Sequence, residues 1–256
     1  MCVSFFIQAL SFATALLLTC TTSKAQSPND LFKKGNVFDL KFNPTEALKY
    51  YLPAKRLEPN NVRLLLCIAR QYRHLMTDTP TREEKLRLGG ISLAYAHRAA
   101  ALAPNDSEAQ LSPAITYGKM LPLQGIKEQV EVSPLIKEAA DKAIKLDPGN
   151  DTAWHVLGRW HSGVAGVSAI KRAMAPLFYG KLPSSTNEAA VACFKQAIEI
   201  NPTRLMHYME LGLTYVQMGR QDDARRFITK GLSMPNTDKD DPETKKRGRE
   251  ALSKLR

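Results

Sequence analysis

Apolar residues after residue 26 follow a helical period that a recurring ending interrupts: Ala five residues and Leu or Ile two residues before a Pro, usually with Asn or Asp just beyond. The copies are Ala54, Leu57, Pro59; Ala99, Leu102, Pro104; Ala143, Leu146, Pro148; and Ala197, Ile200, Pro202. Each reads as the close of a helix, because proline cannot continue the hydrogen-bond ladder and the polar residues after it suit the start of the next one. A second amphipathic segment lies upstream of every ending. The chain is therefore predicted to be all-α and built from helix pairs.

Two helices per unit match the tetratricopeptide repeat, whose nominal period is about 34 residues. Trp154-x-x-Leu157-Gly158-x-x-His161 is followed by Ala190, Phe194, Ala197 and Pro202, and Tyr208-x-x-Leu211-Gly212-x-x-Tyr215 by Gly219, Ala224, Ile228 and Gly231. The first unit carries Leu31, Gly35, Phe38, Ala47, Tyr51, Ala54 and Pro59. Small residues in these places let neighbouring helices approach, and the aromatic and Leu positions fill the space between them. The chain thus resembles the tetratricopeptide repeat family, which implies a right-handed superhelix of antiparallel helix pairs, with about five units over 26–235 and a capping helix within 236–256.

Successive prolines stand 45, 44 and 54 residues apart, so the middle units carry extra length. It is expected between the helices of a unit, near 76–90, 120–133 and 163–186. In the third insertion Val164 to Phe178 reads as an additional amphipathic helix and Gly180 to Thr186 as a loop and cap. The block Leu157-Gly158-Arg159-Trp160, the inserted helix, Leu177-Phe178-Tyr179-Gly180-Lys181-Leu182-Pro183, and then Ala189 to Pro202 resembles the regulator of microtubule dynamics family. That resemblance implies a helical scaffold and not an enzyme. Its eukaryotic members are associated with microtubules or with organelle contact sites and lipids.

The amino terminus changes the expected compartment. Met1 to Thr22 has no charged side chain, and the apolar run Phe5 to Leu18 is shorter than the roughly 20 residues of a spanning helix. Ser23-Lys24-Ala25 then offers small residues at the first and third positions before Gln26. Residues 1–25 read as a signal peptide cleaved after Ala25, with lipidation at Cys20 as the rival, so the protein is expected in the periplasm or outside the cell. No membrane-spanning segment is expected after signal removal. Cys67 and Cys193, which remain, lie in helical apolar patterns and read as separate buried thiols. A net charge of +11 favours anionic partners without choosing one.

Chemistry-bearing motifs are scarce. His155 and His161 are six residues apart on different helix faces, no His-Glu-x-x-His occurs, and no P-loop, Gly-x-Ser-x-Gly or Gly-x-Gly-x-x-Gly is found. Neither a metal nor a cofactor is expected, and His161 reads as a packing residue. Lys245-Lys246-Arg247 is a short run in the capping helix, so no nucleic acid partner is expected. In this repeat the first helix of each unit faces a concave groove with its second, fifth, ninth, twelfth and thirteenth residues. These place Arg63, Leu66, Arg70, Arg73 and His74 inward in the second unit, and His155 and Arg159 in the fourth. Leu111, Ile115, Met206, Met209, Leu213 and Val216 make the rest of that wall apolar. Arg63, Arg70, Arg73, His74, His155 and Arg159 are the candidate ligand contacts. Arg70 and Arg159 are expected to meet ligand, and pairing with Glu83, Glu84, Glu128 or Glu131 is the competing role. The favoured function is a scaffold holding an acidic protein or peptide segment; the alternative is a binder of an anionic lipid or amphiphile.

Overall fold

The computed structural model describes residues 26–168 and 182–255. Within them the chain forms eleven α-helices and no strand: α1 Pro28–Asp39, α2 Pro44–Leu57, α3 Val62–Asp78, α4 Arg82–Leu102, α5 Ser107–Met120, α6 Ile126–Leu146, α7 Asp151–Ala165, α8 Asn187–Ile200, α9 Leu205–Gln217, α10 Gln221–Ser233 and α11 Asp241–Leu252. Consecutive helices pair as α1 with α2, α3 with α4, α5 with α6, α7 with α8 and α9 with α10. The first helices of neighbouring pairs, α3, α5, α7 and α9, also touch one another and form one wall of a tetratricopeptide-like solenoid. The expected signal peptide over 1–25 and most of the expected extra helix over Val164 to Phe178 lie outside the described residues; α7 ends at Ala165.

The recurring ending is a helix stop. α2, α4, α6 and α8 finish at Leu57, Leu102, Leu146 and Ile200. In each, the Ala three residues earlier is fully buried and its carbonyl accepts the next backbone N–H, from Glu58, Ala103, Asp147 and Asn201. After Pro59, Pro104 and Pro148, the side chains of Asn61, Asp106 and Asn150 cap the following helices. The apolar residue of the ending is not core: Leu57, Leu102 and Leu146 are exposed, because the last turn projects beyond the pair it closes.

Glycine sets the closeness of the pairs. A Cβ on Gly35 would stand 2.5 Å from the Tyr51 ring, one on Gly158 2.8 Å from Phe194, and one on Gly212 2.5 Å from Ile228. The extra length of units two and three is mostly helical rather than an irregular insertion. α3 runs on to Asp78 with only three residues before α4, while α5 reaches Met120 and a single 3-10 turn at Leu121–Leu123 precedes α6. α4 and α6 each have 21 residues where α2 and α8 have 14. Lengthening a formed helix adds one hydrogen bond per residue without a new nucleation step.

The last helix does more than cover an end. α11 packs on both α9 and α10, and a Cβ on its Gly248 would lie 2.7 Å from the Met209 sulfur. Its start has no side-chain cap: Asp240 holds the N-cap position without such a bond. Asp241 is inside the helix, nearly buried, and its Oδ2 accepts the upstream N–H groups of Thr237 and Asp238 at 2.7 and 2.8 Å. A tight carboxylate-bound turn therefore precedes α11. It aims residues 236–240 away from the fifth unit.

Candidate groove on the inner wall

Residues 236–240 cross to the far units. Lys119 of α5 donates to both oxygens of Asp240 at 2.8 and 2.6 Å and to Thr77 Oγ1 at 2.8 Å, while the Thr77 hydroxyl donates to Asp240 Oδ1 at 2.5 Å. Lys239 pairs with Asp78 at 2.8 Å, and His74 Nε2 stands 3.9 Å from Asp238 Oδ1. The carboxyl-terminal segment is thus bound to α3 and α5. An expected simple end cap is instead a strut joining the fifth unit to the second and third.

The structure separates the α3 cations that sequence spacing groups together. Arg63 is exposed and lies over the Phe32 ring, 4.6 Å from its centroid. Arg70 turns to the first unit and bonds Asp39 Oδ2 at 2.5 Å; Asp39 also accepts from the Tyr51 hydroxyl at 3.1 Å. Burial opposes the Arg70 charge, but its bond to Asp39 more than offsets this and its pKa is raised. The same burial pushes the neighbouring Cys67 thiol up.

Arg73 turns the other way, toward the third unit. It is 9% exposed and donates to Ser112 Oγ at 3.4 Å and Thr116 Oγ1 at 3.3 Å. Among the described residues no carboxylate lies within 4 Å of it. Burial, and then Arg70, lower its pKa to about 10. His74 is 6% exposed, its Nδ1 has no partner among the described residues, and burial holds its pKa down to about 4 although Asp238 and Asp240 draw a proton toward it.

The fourth and fifth units meet through a second polar network. His207 Nε2 donates to Asp151 Oδ2 at 2.8 Å, leaving its Nδ1 to accept from His155 Nδ1 at 3.1 Å; both rings are buried. Arg204 joins through Asp151 at 3.3 Å and Thr152 at 2.8 Å. Burial lowers the pKa of both histidines, that of His155 strongly. An Asp–His pair of this kind suggests acid–base work, but the second His207 nitrogen is taken by a histidine and not by a nucleophile. One turn on, Glu210 bonds Arg247 of α11 and lies 4.0 Å from Arg159 Nε. Burial favours neutral Glu210, yet the two arginines keep its pKa below the ordinary value.

Arg70 and Arg159, expected to meet ligand, therefore each have an acid from a neighbouring unit, Arg159 at longer range and with 45% of its side chain exposed. Glu84 and Glu131, weighed as their partners, pair locally with Arg87 and Lys127. The apolar part of the wall is also changed. Leu111 and Met209 are core residues, and Leu213 and Val216 are half-buried against the fifth-unit cluster. Much of the expected apolar wall is thus packed away, Leu111 and Ile115 in the cluster of the third and fourth units and Met209, Leu213 and Val216 in the cluster that α11 joins. Asp39, Lys119, His207, Glu210, Asp238, Asp240 and Arg247 are the members sequence reasoning missed. Glu210 carried a usable signal: it is the only acid in the otherwise apolar helix α9, and a lone buried carboxylate needs a cation.

Among the described residues no group of His, Cys, Asp and Glu could hold a metal ion, and no helix is long and apolar enough to cross a membrane. Cys67 and Cys193 are both free and buried. His161 is half-buried and bonds Ser185 at 2.5 Å.

Comparison with known proteins agrees with this architecture. A thermophilic tetratricopeptide protein of Thermus thermophilus superposes with a TM-score of 0.64 at 16% identity, over 89% of this chain and 100% of its own. Regulator of microtubule dynamics protein 1 of Bos taurus is 31% identical over 193 residues, 75% of this chain and 61% of the bovine protein. Human regulator of microtubule dynamics protein 2 is 29% identical over 189 residues, 73% of this chain and 46% of its own, so the chain spans about half the length of such relatives. The family model for regulator of microtubule dynamics protein 1-3 matches residues 31–256, which takes in every helix described except the first turn of α1. The chain belongs to the regulator of microtubule dynamics protein 1-3 family.

Proposed function

We propose that the chain is a non-catalytic scaffold whose inner wall receives a protein or peptide segment presenting carboxylates. The observation that carries this reading is the convergence of Arg73 and His74 from one unit with Lys119 from the next, at a place where a turn carrying Asp238 and Asp240 already lies. Arginine and lysine suit the task, the first as a planar fork and the second as a point charge. An anionic lipid would need an acyl surface beside these cations, and of the residues expected to supply it Leu111, Ile115, Met209, Leu213 and Val216 are engaged in core packing.

The test is affinity capture from envelope extract with the parent and with Lys119→Glu, followed by cross-linking to locate the retained segment. The expected result is a partner joined to α3 or α5 through an Asp- or Glu-rich stretch and lost in the variant. A partner retained equally by Lys119→Glu, or cross-linked only to the outer helices, overturns the reading. Phospholipid retained by the parent in native mass spectrometry would favour the amphiphile alternative.

A further inference from the structure

We propose that residues 236–240 are an internal stand-in for the ligand, and that an acidic peptide binds the inner wall by displacing Asp238 and Asp240 from α3 and α5. This rests on the scaffold reading and names both the chemistry of its partner and how access is regulated. Among the described residues the segment's hydrogen bonds and ion pairs to the groove are all made by side chains. Its backbone bonds are local, with Asp241 N–H donating to Asp238 O and Thr244 N–H to Asp240 O. Contact with the far units comes from Asp238, Lys239 and Asp240. The Asp240 side chain is 41% exposed, so competing carboxylates reach its seat from solvent. The fit is also incomplete. Asp238 stops 3.9 Å short of His74, and among the described residues the buried guanidinium of Arg73 has only two hydroxyl oxygens, at 3.3 and 3.4 Å. A buried cation satisfied this sparsely is costly, and a ligand carboxylate on Arg73 would supply a bond that the internal segment does not. Release need not dismantle the fifth unit. α11 remains anchored by Arg247 on Glu210 and by Gly248 on Met209, with the Asp241-bound turn as the pivot.

The probe is a fluorescein-labelled peptide of alternating Asp and Glu, titrated by anisotropy into the full chain and its variants. Asp238→Asn/Asp240→Asn weakens the internal competitor, and Kd is expected to fall about tenfold, as it should when the binding-competent fraction rises by that factor. Adding Lys119→Glu to the double variant should abolish the gain. In parallel, hydrogen exchange in the parent should quicken at 236–240 when peptide is added. An unchanged Kd in the double variant with unchanged exchange at 236–240 overturns displacement but leaves the scaffold standing, since its own test concerns the parent's captured partner. Absence of peptide binding in every form overturns the acidic ligand class. Circular dichroism checks folding; if the double variant is unfolded, Thr77→Val, which removes one bond to Asp240, and the exchange measurement on the parent decide the question.

Discussion

His74 makes stability fall on acidification, by an amount that can be worked out. Its ring is 6% exposed, Nδ1 has no partner among the described residues, and burial holds the pKa down to about 4 against an ordinary value of 6.5. Burial is the largest cause, with Lys119 and Arg73 adding repulsion and Asp238 and Asp240 opposing it. Between those two values the unfolded chain holds the proton and the native one does not, so stability is complete above the unfolded pKa and is lost as pH falls toward about 4. At about 1.4 kcal/mol per unit, this one group removes about 2 kcal/mol between roughly pH 7.5 and pH 5, and about 3 kcal/mol by pH 4. The lowered His155 and His207 act in the same direction, as does Asp240, whose pKa Lys119 holds below the ordinary carboxylate value. Urea unfolding followed by circular dichroism at the two higher pH values should show the loss, and His74→Leu should reduce it by about 2 kcal/mol. The same pH dependence in parent and His74→Leu would mean that the imidazole is solvated in the native state, which would refute the argument.

Other perturbations test other parts of the structure. Gly158→Ala drives a Cβ to 2.8 Å from Phe194 and should cost about 1–3 kcal/mol in thermal or urea unfolding, whereas Gly163→Ala, with nothing within 4 Å among the described residues, should gain up to about 1 kcal/mol. Equal effects at the two glycines would contradict close packing of α7 on α8. Glu210→Gln leaves Arg159 and Arg247 facing each other without a carboxylate and is expected to lower stability by about 1–3 kcal/mol, the lower end reflecting the partial exposure of both cations. A neutral effect there would mean that α11 is held by packing alone. Cys193, its thiol raised to about 11 by burial, and Cys67 should react with an aromatic disulfide reagent only after denaturation; rapid native labelling of either would show that its helix pair opens. Intact mass of exported protein is expected to begin at Gln26, and an acylated species beginning at Cys20 would replace that expectation.

The repeat was legible because its information is local. Ala54, Ala99, Ala143 and Ala197 mark helix ends through bonds spanning four residues, and Gly158 and Gly212 mark helix contacts within one unit. Helix boundaries near the endings followed from proline and capping chemistry in the same way. The inner wall was only half legible. Periodicity identified which residues of α3 turn away from α4, but not what they meet. Asp39 lies 31 residues from Arg70, and Asp240 lies 121 residues from Lys119. No spacing rule reaches that far. The strut was missed for a related reason: residues 236–240 are polar and outside the repeat, a pattern that a solvated linker shares.

Expecting an external anion from the cluster of α3 cations was an argument about one helix, where like charges at three- and four-residue spacing repel. In the fold each cation faces a different neighbour, so the argument must be repeated residue by residue. For Arg70 it fails, because Asp39 supplies the carboxylate from the first unit. For Arg159 it is weakened, because Glu210 lies within 4.0 Å but is shared with Arg247. For Arg63 an aromatic face and solvent suffice. Only Arg73 is both buried and without a carboxylate among the described residues, and the acids that act on it most strongly, Asp238 and Asp240, belong to the strut. The original expectation therefore contracts to the place where α3 meets α5, and it is there that we propose the internal acids and an incoming acidic segment compete for the same charge.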